Sequence, residues 1–282
     1  MITLASGVSY TDVQFIGLPG IIASVVLHGP GGAAIIDPGP TSTLPALGAD
    51  LAHAGIAMRD VRALLLTHIH LDHAGATGTL VREQPDLRVY VHEKGAPHLV
   101  DPTRLLASAT RLYGDEMDRL WGDVLPVPAH TLSVLAGGER ISAGGRDLDI
   151  AYTPGHASHH VSYFSADTGI AFVGDTAGVR LTPGGFNVPP TPPPDIDLEA
   201  WAVSLHRIEQ WGAGTLFVTH FGPSAPVATH LSEFADRLAI VSRLAAASLA
   251  RQGSDEDREA WFTDQIRREL RRRMTRYWRK RP

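Results

Sequence analysis

Short apolar runs separated by turn-forming residues dominate the first two thirds of the chain, and they predict strands. Residues 8–14, 24–27 and 33–36 are such runs, the last two joined by the turn His28-Gly29-Pro30-Gly31-Gly32. Residues 43–54, after Asp37-Pro38-Gly39-Pro40, have apolar positions at helical spacing and close at Gly55. An apolar strand at 61–67, a helical stretch near 77–83 and a strand at 87–92 follow. Strand, helix and strand recur, so the pattern predicts an α/β fold with a buried sheet.

From 96 to 125 the pattern loosens into helical pieces with Tyr113 and Trp121 expected to be exposed, stopped by Leu125-Pro126-Val127-Pro128. That segment reads as a flap over a site or as a surface helix pair. Strands are predicted at 133–135, 139–142 and 147–153, then a hairpin of 160–164 and 170–173 about Asp167-Thr168-Gly169. Residues 183–197 carry Pro189, Pro190, Pro192, Pro193 and Pro194, which predicts a stiff connector or rim. A helix at 198–211, a last strand at 215–219 and helices at 227–250 and 255–280 complete the chain. No internal repeat or low-complexity linker divides it.

Composition narrows the chemistry. The 282 residues contain no cysteine, which removes disulfides, thiolate ligands and a cysteine nucleophile, so any metal must be held by nitrogen and oxygen. No run approaches the roughly 18–20 apolar residues of a membrane span. The first ten residues have neither a basic lead nor a long apolar segment, so a cytoplasmic protein without membrane contact is expected. A net charge of −5 argues against a dedicated nucleic-acid binder.

The chemistry concentrates in Thr67-His68-Ile69-His70-Leu71-Asp72-His73, which follows an apolar run. Three further candidates, His156, Asp175 and His220, also stand just beyond predicted strands, from which loops can converge on one sheet edge. Five imidazoles and two carboxylates suit zinc, iron or manganese, and they exceed what one tetrahedral ion needs.

The His-x-His-x-Asp-His signature at His68, His70, Asp72 and His73, followed in order by Gly155-His156, Gly174-Asp175 and Thr219-His220, resembles the metallo-β-lactamase superfamily. The resemblance extends from about residue 6 to 222 and implies a four-layer αβ/βα sandwich. It divides the chain into a catalytic domain at 1–222 and a helical C-terminal extension at 223–282, packed on that domain or on a partner subunit. It also implies two divalent metal ions, zinc first among the candidates. His68, His70 and His156 would hold one, Asp72, His73 and His220 the other, and Asp175 would bridge them. The implied activity is hydrolysis of a small ester, lactone or thioester by a hydroxide shared between the ions, with Asp72 as a proton relay. The hydroxyacylglutathione hydrolase and acyl-homoserine lactonase branch is the nearer one, although no basic cluster resembling a glutathione site follows His220.

Asp37 is a candidate partner for a ligand imidazole or a turn former. His159, His160, His92 and His98 match no ligand position and read as packing or surface residues. Tyr113, Tyr152 and Tyr163 each offer a hydroxyl that the sequence does not orient. In the tail, Phe262, Ile266, Leu270, Met274 and Trp278 form an apolar stripe, with Arg267, Arg268, Arg271, Arg272, Arg273, Arg276, Arg279, Lys280 and Arg281 on the other faces. That stripe predicts docking on the chain's own domain or in a homo-oligomer. The alternatives are a mononuclear iron oxygenase resembling the persulfide dioxygenases, using His68, His156 and Asp175, and a nuclease or phosphodiesterase using the basic tail.

Overall fold

The computed structural model describes residues 1–180 and 186–279, with side chains to 272. The first half runs β1 (Ile2–Ala5), β2 (Val8–Asp12), β3 (Ala23–Gly29), β4 (Gly32–Ile36), α1 (Leu44–His53), β5 (Val61–Leu65), α2 (Leu71–Ala74), α3 (Thr77–Glu83), β6 (Arg88–His92), α4 (Ala96–Val100), α5 (Thr103–Tyr113), α6 (Met117–Trp121) and β7 (Leu132–Leu135). Its seven strands lie in sequence order in one sheet. They are antiparallel from β1 to β4 and parallel from β4 to β7, where helices make the crossovers.

The second half runs β8 (Arg140–Ala143), β9 (Arg146–Tyr152), β10 (Val161–Ser165), β11 (Ile170–Phe172), β12 (Val179–Arg180), β13 (Asn187–Val188), α7 (Leu198–Gln210), β14 (Thr215–Val218), β15 (Gly222–Ser224), α8 (Val227–Leu249) and α9 (Asp255–Arg279). Its sheet has the order β15-β14-β11-β10-β9-β8, and β12 pairs with β13 alone.

Alternation along the strands builds the layers. In β4, Ala33 and Ile35 enter an outer core with Leu47, Leu51 and Leu80 of α1 and α3. Ala34 and Ile36 enter an inner core shared with Leu148, Tyr163 and Phe217 of the other sheet. In the second sheet Ala171, Leu216 and Val218 turn outward to Trp201 of α7 and Phe234 of α8. Strands buried on both faces thus carry two cores each, and the result is a four-layer αβ/βα sandwich with C-terminal helices.

Four features depart from the sequence reading. β1 precedes the first predicted strand, β15 follows the strand read as the last, and β12, just before the proline-rich stretch, pairs with β13 inside it. Each is a short edge or ribbon segment with little apolar signal. Trp121, expected outside, is 6% exposed and stacks on Phe15 with ring centroids 5.5 Å apart. α8 sends Leu231, Phe234 and Leu238 into the α7 core. Ile266 and Leu270 of α9 line a small recess with Ile240 and Val241 of α8. Met274 and Trp278 of the predicted stripe, with Arg273, Arg276, Arg279, Lys280 and Arg281, lie outside the described side chains, as do residues 183–185 of the proline-rich segment.

Candidate metal centre

The seven candidate residues follow β5, β9, β11 and β14, whose ends meet at one edge of the sandwich. After β5 the chain turns through His68 and His70 into α2, a single helical turn bearing Asp72 and His73. The entry to that turn is pinned by Asp37, which accepts from the Thr67 amide at 2.8 Å and the Thr67 hydroxyl at 2.7 Å. Two of the motif glycines are sterically required. Gly155, with φ 133°, lies against Trp201, and a β-carbon there would overlap that side chain. At Gly174, with φ 48°, a β-carbon would stand 2.6 Å from both His160 Nε2 and Thr67 Oγ1. Each glycine delivers the candidate ligand that follows it.

Three overlapping groups form, His68 with His70 and His156, His68 with His73 and Asp175, and Asp72 with His73 and His220. His70 Nδ1 is 2.9 Å from His68 Nε2 and 3.0 Å from His156 Nε2. His220 Nε2 is 3.2 Å from both His73 Nε2 and Asp72 Oδ2. Asp175 stands between the sets: Oδ2 is 3.5 Å from His156 Nε2, while Oδ1 is 3.4 Å from His73 Nε2 and 3.7 Å from His220 Nε2.

The ring tautomers test whether cations fit. His156 Nδ1 donates to the Pro190 carbonyl at 3.0 Å and His220 Nδ1 to the Ile21 carbonyl at 2.7 Å, acceptors that leave no other assignment. His73 Nδ1 donates to Asp37 Oδ2 at 2.8 Å. His68 Nδ1 donates to Thr67 Oγ1 at 3.1 Å, because the Thr67 hydrogen is already given to Asp37. Four imidazoles therefore turn their Nε2 atoms toward one another and toward two carboxylates. Asp175 Oδ1 is buried there without a hydrogen-bond partner. Lone pairs facing lone pairs need a cation or displaceable protons between them, so the donor set fits divalent ions.

Electrostatics divide the two sides. Burial, reinforced by neighbouring imidazoles, holds His68 well below its ordinary value and lowers His70 to about 4. Burial also lowers His156. Burial would depress His73 as well, but Asp175, Asp72 and Asp37 outweigh it and hold that ring well above its ordinary value. His220 is raised in the same way, burial being overcome by Asp175 and Asp72. Against the burial that opposes ionisation, His73 and His220 keep Asp72 and Asp175 ionised, well below the usual carboxylate range.

The centre opens into a cavity of about 640 Å³. His70, Asp72, His156, Asp175 and His220 reach it, with residues of α5 and α6 on one side and Pro190, Pro192, Pro193 and Pro194 on another. The 96–125 segment is therefore a wall of the site.

Several residues that the sequence left as packing have defined places at the centre. His160 is fully buried, and its Nε2 accepts from the Asp175 amide at 3.2 Å while Thr153 and Thr176 bond its Nδ1 at 3.0 Å. His159 lines the cavity, takes the Ile69 amide on Nδ1 at 3.4 Å and is lowered by burial to about 3, so the neutral ring carries its hydrogen on Nε2. His98 also lines the cavity, whereas His92 stacks on Tyr152 away from it. Among the tyrosines, Tyr163 donates to the Leu66 carbonyl and Tyr152 to the Ser158 carbonyl, each at 2.8 Å, and Tyr113 reaches the cavity. No sequence signal separates these cases, because each depends on contacts across the fold.

Comparison with known proteins gives the family and the fold. The family model described as the metallo-beta-lactamase superfamily matches residues 17–220. A metallo-beta-lactamase fold-containing protein of Sulfurisphaera tokodaii is 32% identical over 149 residues, 51% of this chain and 54% of that protein. A hydroxyacylglutathione hydrolase of Thermosynechococcus vestitus is 31% identical over 153 residues, 54% of this chain and 47% of its own. The chain thus spans about half the length of the curated relatives it matches. The crystal structure of a metallo-beta-lactamase family protein from Thermus thermophilus superposes with a TM-score of 0.68 at 26% identity, over 87% of this chain and 84% of that one.

Proposed function

The chain belongs to the metallo-beta-lactamase superfamily, and from that premise we propose that it is a hydrolase of a small ester, lactone or thioester built around two divalent cations. His68, His70 and His156 would hold one ion, Asp72, His73 and His220 the other, and Asp175 both. The observation that carries this reading is the placement of Asp175, whose two oxygens face opposite trios. Zinc suits a nitrogen-and-oxygen set without thiolate, and iron and manganese share that preference. The similarity to hydroxyacylglutathione hydrolases favours an acyl bond.

Cations held by these residues would supply Lewis acidity toward a carbonyl and a water. The chain's own groups do the rest. His159, whose ring hydrogen is on Nε2, and Tyr113 line the cavity and would donate to substrate oxygens as negative charge develops. Asp72 opens onto the cavity, but the imidazoles that keep it ionised make it a weak base, so it orients more than it stores protons.

The second trio is as convergent as the first, which weighs against a single-iron oxygenase using only His68, His156 and Asp175. No α9 arginine with a described side chain lines the cavity, and Arg268 and Arg272 pair with Asp264 and Glu269, so the nuclease reading gains no support. The test is elemental analysis of protein purified without added metal, with turnover of an ester, lactone and thioester panel. About two ions per chain with hydrolysis is the expected result. One iron per chain with oxygen consumption and no hydrolysis would replace the reading.

A further inference from the structure

α5 lines the cavity beside the metal centre with four apolar or aromatic side chains, interspersed with Arg104 and Ser108, although part of that face is open to solvent. Leu105, Ala109, Leu112 and Tyr113 fall on one helical face, at intervals of four, seven and eight residues from the first. Leu105 and Ala109 reach back to the outer core, yet Leu112 is 62% and Tyr113 41% exposed. Single exposed leucines are ordinary on protein surfaces. Here the exposed leucine continues a lining that begins at the candidate ligands, and Val179 and the prolines face the same space.

We infer that this wall holds the apolar acyl chain of the substrate, so that the preferred ester, lactone or thioester is that of a medium-chain aliphatic acid. The inference rests on the hydrolase reading only for where the carbonyl sits; the wall itself is a binding surface. From Leu105 to Leu112 the helix advances about 10 Å, the reach of an extended octanoyl chain. A cavity of about 640 Å³ has room for such a chain together with a leaving group, and a short polar acyl group would leave Leu112 uncovered.

The test titrates zinc-loaded protein with straight-chain alkanoates from acetate to decanoate by calorimetry, and measures turnover of the matching aryl esters, lactones and thioesters in parallel. The dissociation constant is expected to tighten about three- to fourfold per added methylene and level off near octanoate. Leu112→Asn should reduce that step to less than about twofold over the outer carbons. Leu249→Asn, at a 75% exposed leucine on α8 that does not line the cavity, should keep the full slope. Thermal melts of both variants report folding. Equal affinity along the series, or an unaltered slope in Leu112→Asn, overturns the inference. Turnover without any chain-length slope overturns the wall and leaves the hydrolase standing; a binding slope with no turnover of the matching aryl ester, lactone or thioester supports the wall and overturns the hydrolase.

Discussion

Asp37 takes the Nδ1 hydrogen of His73 at 2.8 Å, and the same oxygen accepts the hydroxyls of Thr67 at 2.7 Å and Thr219 at 2.9 Å. Its partners come from the ends of β5 and β14, one strand from each sheet. A fully buried carboxylate thus joins the sandwich at the edge where the candidate ligands gather, and fixes the tautomer of one of them.

Asp37→Asn should therefore weaken metal binding by about 10- to 100-fold, because an amide cannot accept from all three donors on one side. Competition against a chelator of known affinity measures it. Unchanged affinity would make Asp37 only a turn former.

Proton release should differ between the two sets of ligands. In the metal-free protein His73 and His220 have raised values, so at neutral pH His73 carries a proton that an entering cation must displace. Affinity on that side falls as pH drops from the raised value through neutrality. Burial lowers His70 to about 4 and holds His68 and His156 below their ordinary value, so at neutral pH the other trio is proton-free and its affinity changes little with pH above that ordinary value. Calorimetry in buffers of different ionisation enthalpy should show one binding step with proton release and one without. Equal release at both steps would contradict the division.

Tyr113→Phe should lower kcat by about tenfold to a hundredfold with KM little changed, if its hydroxyl donates to oxygen mainly as charge develops. A rise in KM at constant kcat would make Tyr113 a ground-state contact.

His160→Ala should destabilise the metal-free fold by about 2–4 kcal/mol, since it opens a cavity and strips partners from the Asp175 amide, Thr153 and Thr176. Urea unfolding of metal-free protein measures this separately from any effect on metal. An unmoved midpoint would show that these bonds contribute nothing net.

The sequence exposed the ligand candidates because their chemistry is dense and each follows an apolar strand. All seven meet at one edge, and the β5 and α3 runs were legible because two-sided burial and helical periodicity leave strong patterns. The supports were not legible. His160 has the sequence context of any histidine before a strand, and only the approach of β11 turns it into the acceptor for Asp175. Trp121 looked exposed because α6 is too short to show a buried face. β12 and β13 are two residues each, held by a ribbon pairing that leaves no periodicity.

The Pro190 carbonyl holds the His156 ring from outside while its neighbours Pro192 and Pro193 line the mouth of the cavity. Selectivity and ion retention consequently share one piece of backbone. This loop cannot be exchanged as a free module: a graft that reshapes the mouth for a new acyl group also re-aims a ligand imidazole. Directed evolution of this chain should accept changes on α5 more readily than changes between residues 189 and 194.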